Sequence, residues 1–412
     1  MTIESKGNDD PAVRGAGTGD HRGSSLEVFR VFLKLGLSSF GGPIAHLGYY
    51  RNELVLRRRW IDEESYADLV ALCQFLPGPA SSQIGFSVGF LRANNLWGGI
   101  AAWIGFTLPS AVILVAFAVG SSSFQGPFAE GLLHGLKLVA VAIVAQALWG
   151  MAQTLTPDRT RVAIAVACLW TVMALPGSFG QVSAIAGGAI TGLWLCRGTA
   201  TALNGRLNFP VSRAQGAISL ALFILLLLIP ELLKSNQVMG LFSAFYRSGA
   251  LVFGGGHVVL PLLQNAVVDS GIVRHGDFLA GYGLAQAIPG PLFSFASYLG
   301  AVAVHWPNGI AGAMIALVAI FLPGLLLVYG MLPYWDDLRS KPWAQAAMRG
   351  ANAAVVGILG AALYNPVWTS AVMGSRDFAL VVAAFLLLTI WKVPSWSIVA
   401  LLAIGGTASA FL

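Results

Sequence analysis

Residues 26–43 read LEVFRVFLKLGLSSFGGP, and residues 239–256 read MGLFSAFYRSGALVFGGG. The two stretches share phenylalanine, glycine and basic positions at a spacing of 213 (239 − 26). A second motif, QxxPGP, repeats in nearly the same register at residues 74–79 and 286–291. A self-similarity that holds over this length indicates that the chain is a duplication of one structural unit.

The composition places this duplicated unit in a membrane. Of the 412 residues, 56% are hydrophobic and only 10% are charged, and the mean hydropathy is +0.74. Soluble domains carry about a quarter charged residues. Apolar runs such as residues 311–329 and 379–390 are long enough to cross or deeply enter a bilayer. We predict an all-α polytopic membrane protein whose partner is the lipid bilayer.

The polar residues exclude several functional classes. Cys73, Cys168 and Cys196 have no metal-ligand spacing, which favours core packing over a zinc site or a disulfide framework. The histidines are scattered, so no cluster of nucleophile, base or metal ligands predicts an enzyme. The net charge of +6 comes from basic residues in short loops, as membrane topology requires, and does not indicate nucleic-acid binding. We expect neither a cofactor nor a metal.

The duplication divides the chain into four segments. Residues 1–25 carry charges of both signs, glycine and proline without an apolar core, which predicts a disordered cytoplasmic tail and not a signal peptide. Residues 26–197 form the first repeat and residues 236–412 the second. Between them, residues 198–235 form a basic linker and one additional apolar helix. Because one extra crossing reverses the orientation of the second repeat, we predict two homologous halves in inverted orientation.

The basic loops predict the membrane topology, because such loops face the cytoplasm. Placing all of them inside requires residues 26–50 and 63–92 to enter and leave on the same side, as hairpins broken at FGGP and PGP. This arrangement has nine full crossings and four re-entrant hairpins, and its alternative is about 13 membrane segments that all span. Both put the amino terminus in the cytoplasm and the carboxy terminus in the periplasm.

The glycine and proline motifs interrupt otherwise apolar helices and are the first candidates for a transport site. Broken backbone at membrane depth is tolerated where it is buried in protein or lines a wet cavity. A helix that restarts after such a break presents free N–H groups and a positive dipole end, which favour an anion. Ser81, Ser82 and Ser294 come after the PGP motifs and add neutral hydrogen-bond donors. The alternative is that the glycines only allow helices to pack closely.

Basic side chains inside the apolar segments are the second group of candidates. Lys34 and Arg247 occupy equivalent positions shortly before the FGG motifs. A charge within the membrane is costly and usually faces a bundle interior or a cavity. We therefore expect both side chains to attract a dianion.

Histidine and glutamine side chains lie next to the motifs. His257 comes directly after the second glycine run and is the predicted proton-coupling residue, while His46 lies shortly after the first run. Either can take up a proton near neutral pH, or serve only as a satisfied hydrogen-bonding group. Gln74 and Gln286 precede the PGP motifs and are predicted to cap loose backbone, with contact to the substrate as the alternative. Carboxylates are few in the apolar parts, so no carboxylate relay is predicted.

The motifs FGGP in the first half, PGP ahead of serine in both halves, and a second FGG resemble those of the chromate ion transporter family in its long, two-domain form. The resemblance covers residues 26–412. It implies export of chromate from the bacterial cytoplasm across the inner membrane, which gives chromate resistance. Sulfate, with the same charge and shape, is the alternative substrate, and a homodimer is left open.

The second half departs from the first at Gly256, which replaces Pro43, so the halves need not contribute equally to binding. The residues assigned to substrate binding are Lys34, Gly41, Gly42, Pro43, Pro77, Gly78, Pro79, Ser81, Ser82, Arg247, Gly254, Gly255, Gly256, Pro289, Gly290, Pro291 and Ser294.

Overall fold

The computed structural model describes residues 23–40, 42–121, 127–175, 178–197, 209–232, 236–253, 258–339 and 341–409. Within these ranges the chain forms helices and their connections and contains no β-strand, which confirms the prediction of an all-α protein. The predicted tail, apart from its last three residues, and residues 198–208 and 233–235 of the predicted linker lie outside the described residues.

The first half is a series of helices, several of which begin at a polar cap. The side chain of Ser24 accepts a hydrogen bond from the N–H of Glu27, and Asp62 and Asp158 cap two later helices in the same way. The helices are α1 (Ser25–Ser38), α2 (Gly42–Tyr50) with the π-helical extension Arg51–Arg57, α3 (Glu63–Phe75), α4 (Ala80–Ala93), α5 (Leu96–Ser121), α6 (Pro127–Leu155), α7 (Arg159–Ala174) and α8 (Ser178–Leu195).

One further helix, α9 (Arg213–Leu232), separates the halves, and the second half then repeats the order of the first. The helices that follow the glycine and PGP motifs are shorter in the second half than in the first. The helices are α10 (Gln237–Ala250), α11 (Val259–Leu263) with the π-helical extension Gln264–Val268, α12 (His275–Ala285), the 3₁₀ turn Leu292–Ser294, α13 (Phe295–Ala301), α14 (Gly309–Met331), α15 (Trp335–Arg339), α16 (Pro342–Ala362), α17 (Thr369–Ala371), α18 (Ser375–Thr389) and α19 (Ser395–Ser409).

Each PGP motif lies between two helices. The first separates α3 from α4, and the second separates α12 from the 3₁₀ turn before α13. At the glycine motifs the flanking helices are also distinct: α1 ends at Ser38 and α2 begins at Gly42, while α10 ends at Ala250 and α11 begins at Val259. Proline explains the PGP breaks, because it lacks the N–H that a continuing helix needs.

Four helical stretches in the described ranges are long and apolar enough to cross a membrane. They are Leu96–Gly120 in α5, Glu130–Leu155 in α6, Gly309–Tyr334, where the 3₁₀ turn Leu332–Tyr334 follows α14, and Pro342–Ala371, where the π-helical segment Leu363–Trp368 joins α16 to α17. Shorter apolar helices include Phe179–Leu195, Arg213–Leu228 and Ser395–Thr407. The motif segments each consist of two short helices in place of one long one. The chain is therefore an all-helical membrane protein, and the number of its crossings stays a prediction.

The two halves pack alike internally and exchange their last helices. In the first half α1 and α4 pack on α5, and in the second half α10 and α13 pack on α14 in the same way. The long helix α6 packs on α18 and α19 of the second half, while α16 packs on α7 and α8 of the first. Gly192 faces Gly350 so closely that an added Cβ would lie 2.7 Å from the Gly350 Cα. The halves are thus interlocked.

The hydrophobic core is divided unequally between the halves. The largest cluster of buried apolar residues is built from α6 and most second-half helices, including α12, which packs against α6. A second cluster holds α1 to α5, together with Trp335 from the second half. The first-half helix α3, the equivalent of α12, contacts α4 and Trp335. The motif helices of the second half are therefore embedded in the main core, and those of the first half are not.

Candidate functional site

The two halves meet at their motifs through two matching hydrogen bonds. The N–H of Gly290, in the second PGP motif, donates to the carbonyl oxygen of Ser39 at 3.0 Å, next to the first FGGP motif. The N–H of Gly78, in the first PGP motif, donates to the carbonyl oxygen of Val252 at 2.7 Å, next to the second FGG motif. Ser39 and Val252 are repeat equivalents (252 − 39 = 213). Each PGP motif therefore closes on the glycine motif of the other half.

Glycine is required at the centre of each PGP motif. Gly78 has φ +122° and Gly290 has φ +110°, a region that residues with side chains rarely adopt. A Cβ on Gly78 would lie 2.9 Å from the Cα of Gly324, and one on Gly290 would lie 2.9 Å from the Oγ of Ser110. Ser110 and Gly324 are again repeat equivalents. The glycines thus allow close packing, and the surfaces that they bring together belong to different halves.

Polar side chains of the first half surround this junction. We call them the first-half lining, and none is more than 4% exposed: Ser39, His46, Ser81, Ser82, Gln83, Thr107 and Ser110. Among the described residues, five of their atoms have no hydrogen-bond partner: Ser39 Oγ, His46 Nε2, Ser82 Oγ, Gln83 Oε1 and Thr107 Oγ1. An unpaired buried polar group costs about 1–3 kcal/mol. These atoms therefore mark a place where a ligand or water supplies the missing bonds.

The helix α4 begins within this lining. It is 14 residues long, and its N-cap residue, Pro79, offers no side chain to the free N–H groups of the first turn. Nε2 of Gln83 donates to the carbonyl oxygens of Pro77 and Gly324, both at 3.0 Å, and so holds the PGP loop against the other half. The free N–H groups and the positive end of the helix dipole favour an anion at this point.

The equivalent residues of the second half are almost entirely apolar. We call them the second-half lining: Val252, Val259, Phe293, Ser294, Phe295, Phe321 and Gly324. Its one hydroxyl, on Ser294, lies 2.7 Å from the Oγ of Ser110 and is thereby satisfied. The rings of Phe293 and Phe321 pack with their centroids 5.8 Å apart. After the second PGP motif the chain forms a 3₁₀ turn and the seven-residue helix α13. This lining is a packed surface.

A polar cavity of about 390 Å³ lies in the second half, apart from both linings. Its wall contains the half-buried Arg247 together with Ser243, Asn265 and, from the first-half helix α8, Gln181. The repeat equivalent of Arg247 is Lys34, which is exposed on α1. The two predicted cations thus differ in position: one borders a cavity and the other lies on an exposed face.

Of the other residues predicted from the sequence, some lie at the junction between the halves, some lie elsewhere, and some are outside the described residues. Pro77, Gly78 and Pro79 lie at the junction, as do their equivalents in the second PGP motif, and Gly42 begins α2 with φ +77°. Gln74 is exposed, while Gln286 is half-buried and its carbonyl oxygen accepts a hydrogen bond from Ser395. Outside the described residues lie Gly41, Gly254, Gly255, Gly256, His257 and the side chain of Pro43.

Sequence reasoning missed several polar residues that the fold buries. Thr107 and Ser110 lie on either side of Pro109 in an otherwise apolar helix. Polar residues around a proline inside a membrane helix were the sequence signal that could have identified them. Asp68 of α3 is a buried carboxylate, 1% exposed, that accepts a hydrogen bond from Nε1 of Trp335 at 3.1 Å. This contact joins α3 to the second half. It was overlooked because Asp68 lies in the polar beginning of its segment.

Comparison with known proteins relates both halves to one family. The Chromate transporter family model matches residues 26–193 and again residues 239–408. A chromate transport protein of Pseudomonas aeruginosa is 31% identical over 81% of this chain and 79% of its own length. A probable chromate transport protein of Synechococcus elongatus is 27% identical over 82% of this chain and 84% of its own. A chromate transport protein of Cupriavidus metallidurans is 26% identical over 81% of this chain and 80% of its own length.

No solved structure shows a significant match to the chain. The family model covers most of the chain, in two copies that coincide with the internal repeat. Members of the family are membrane transporters and not enzymes. The chain therefore belongs to the chromate transporter family and is a membrane transporter built from two repeated halves.

Proposed function

We propose that this protein transports chromate and that the oxyanion binds at the first-half lining. One observation carries the location: five buried polar atoms without described partners belong to the first turn of α4, which has free N–H groups, or to residues that adjoin it or the PGP junction. The substrate is supported by relatives named for chromate transport that align over about four fifths of the chain. The proposed site consists of the first-half lining, which includes Ser81 and Ser82, together with the adjoining FGGP and PGP motifs and with Ser294 as the partner of Ser110.

Neutral donors suit a transporter of a dianion. Hydroxyl and backbone N–H groups can replace the water that solvates a tetrahedral oxyanion, which has acceptor oxygens on every side. Hydrogen bonds to a charged group each contribute about 1.5–3 kcal/mol, so a few of them bind the anion without holding it irreversibly. A ring of arginines would bind more tightly and release more slowly.

The direction that we propose is export from the bacterial cytoplasm across the inner membrane, with chromate resistance as the result. Moving a dianion out of a cell that is negative inside releases about 4.6 kcal/mol at 100 mV. That free energy supports a gradient of about a thousandfold. The membrane potential alone is therefore a sufficient driving force for export.

We further propose that the halves have inverted orientation, with the amino terminus in the cytoplasm and the carboxy terminus in the periplasm. The exchanged packing of α6 and α16 and the paired hydrogen bonds of Gly78 and Gly290 support a twofold relation between the halves. The additional helix α9 supplies the odd crossing that inversion needs. In such transporters the substrate site lies where the repeats meet.

Uptake of labelled chromate into inside-out vesicles tests the proposed function. Vesicles that contain the protein should accumulate chromate when their membrane potential is set positive inside, and control vesicles without it should not. Sulfate is added as a competitor, and the pH gradient is set separately. Strong inhibition by sulfate would make sulfate the better substrate, and absence of accumulation under any gradient would overturn chromate export.

A further inference from the structure

His46 is the one side chain of the first-half lining that can take up a proton near neutral pH. Its side chain is 1% exposed, and Nδ1 lies 3.5 Å from the Oγ of Ser81 in the first turn of α4. The ring packs edge-on against Phe106 with centroids 5.2 Å apart and also interacts with the backbone of Ser39. Nε2 has no hydrogen-bond partner among the described residues. The imidazole is thus held at the start of α4 with one nitrogen unused.

No contact joins His46 to a charged side chain among the described residues. On α1, which ends next to Ser39, the basic residues Arg30 and Lys34 are exposed, and in the π-helical extension Arg51 pairs with Glu63 and Arg57 with Glu53. The helix α5 has no ionisable residue between Leu96 and Ser121, and α4 has only Arg92, which pairs with Glu27 at 3.2 Å. On its own helix, the buried Tyr50 lies one turn later.

The neighbouring helix α3 contributes ionisable groups that are already bonded. The hydroxyl of Tyr66 donates to the carbonyl oxygen of Leu47 at 2.8 Å, and Asp68 accepts from Trp335. The second-half loop that reaches the lining, residues 289–291, contains no ionisable residue. A charge on His46 would therefore lack a described counter-ion until an anion arrives.

We propose that His46 is the charged ligand of the transported oxyanion and takes up one proton as the anion binds. The inference rests on the proposed function, since it places the anion at the same lining. An imidazolium buried without a partner is costly, whereas an imidazolium beside a dianion is an ion pair with hydrogen bonds. Binding of the anion and protonation of His46 therefore favour each other, and the occupied site carries one negative charge less.

The internal repeat supplies a reason to assign this role to one half. The repeat equivalent of His46 is Val259, a fully buried valine that can neither donate a hydrogen bond nor take up a proton. The equivalents of its neighbours Ser81 and Thr107 are Phe293 and Phe321. One proton per anion is thus the expected stoichiometry, and not two.

The test is calorimetric titration of the purified full-length protein with chromate, in buffers of different ionisation enthalpy, from pH 6 to 8. The dependence of the heat on the buffer counts protons taken up on binding. For the wild type we expect affinity to be highest at low pH and to fall by up to about tenfold per pH unit as the imidazole loses its proton. His46→Gln should bind more weakly and lose this proton uptake.

Chromate is itself the anion of a weak acid, but its protonation is the same for both proteins, so the difference between them isolates His46. His305→Gln is the matched control, because His305 is exposed and distant in sequence from the motifs. His46→Asn is measured as well, in case glutamine disturbs folding, and thermal unfolding reports whether each variant is folded.

The outcomes separate this inference from the proposed function. If wild type and His46→Gln bind chromate with the same pH dependence and the same proton count, the role of His46 is overturned and chromate transport stands. The same conclusion holds if His257→Gln, and not His46→Gln, removes the proton uptake. If the wild type binds no chromate at any pH, the proposed site itself fails.

Discussion

The first-half and second-half linings descend from the same repeated unit and have opposite character. The first presents hydroxyl, amide and imidazole groups, of which five atoms lack a described partner. The second presents two valines, three phenylalanines, a glycine and one satisfied serine. One copy thus has a polar junction with unpaired groups, which cost stability, and the other is a packed surface. The comparison predicts that substitutions in the first-half lining impair chromate binding more than substitutions in the second-half lining.

The largest expected effect comes from the PGP glycines. Gly78→Ala should lower chromate transport by about tenfold or more, because φ strain of about 1–2 kcal/mol adds to a clash with the backbone of Gly324. Gly290→Ala should be milder, because the atom nearest to its Cβ is the side-chain Oγ of Ser110 and not a backbone atom, although the φ strain and the Ser110 Cβ at 3.2 Å remain. Vesicle uptake, normalised to the amount of folded protein, measures both. Gly48→Ala is the matched control, since nothing lies within 4 Å of its added Cβ.

Trp335→Phe should have the next largest effect, and mainly on stability. The variant removes one hydrogen bond to the buried Asp68, and the loss of a hydrogen bond to a charged group costs about 1–3 kcal/mol. Thermal unfolding of the purified protein should therefore occur at a lower temperature. A double-mutant cycle with Asp68→Asn measures the coupling between the two side chains. Additive effects of the two substitutions would show that the contact contributes nothing.

Thr107→Val should weaken chromate binding while leaving the fold intact or stabilised. Valine keeps the shape of threonine and removes a hydroxyl that has no described partner, so the unfolding temperature should stay the same or rise. Loss of one hydrogen bond to a charged ligand corresponds to about tenfold in affinity. Concentration-dependent uptake gives the KM. Thr191→Val, which removes an exposed hydroxyl bonded to Gly187, is the control and should leave the KM unchanged.

The smallest effect is expected at the two basic side chains. Arg247→Gln should lower the initial rate of uptake by about threefold at low salt, because Arg247 borders the polar cavity and attracts anions there. Lys34→Gln should change the rate less, because Lys34 is exposed. Raising the ionic strength should reduce both effects. A larger defect in Lys34→Gln would place the entry path on the first half and would reverse this part of the comparison.

Much of the fold was readable in the sequence because its signals are local. Apolar runs predicted membrane helices, and the repeated FGG and PGP motifs predicted helix breaks, since glycine and proline act on the backbone where they stand. The serines after PGP were readable for the same reason. The duplication and the family could also be inferred from residues alone, and the family match to both halves confirms them.

Long-range contacts were decided by the tertiary structure. No local pattern indicates that Gly290 bonds to Ser39 or that α6 packs on α19, because these partners are more than 200 residues apart. The same holds for Lys34 and Arg247, which occupy equivalent positions in the repeat and yet lie on an exposed face and beside a cavity. The sequence by itself determined the helix breaks and the membrane environment, which depend on neighbouring residues, and the repeat, which is visible when two stretches 213 residues apart are aligned. Only the tertiary structure decided which breaks meet and which polar atoms stay unpaired, because those properties depend on how distant helices pack.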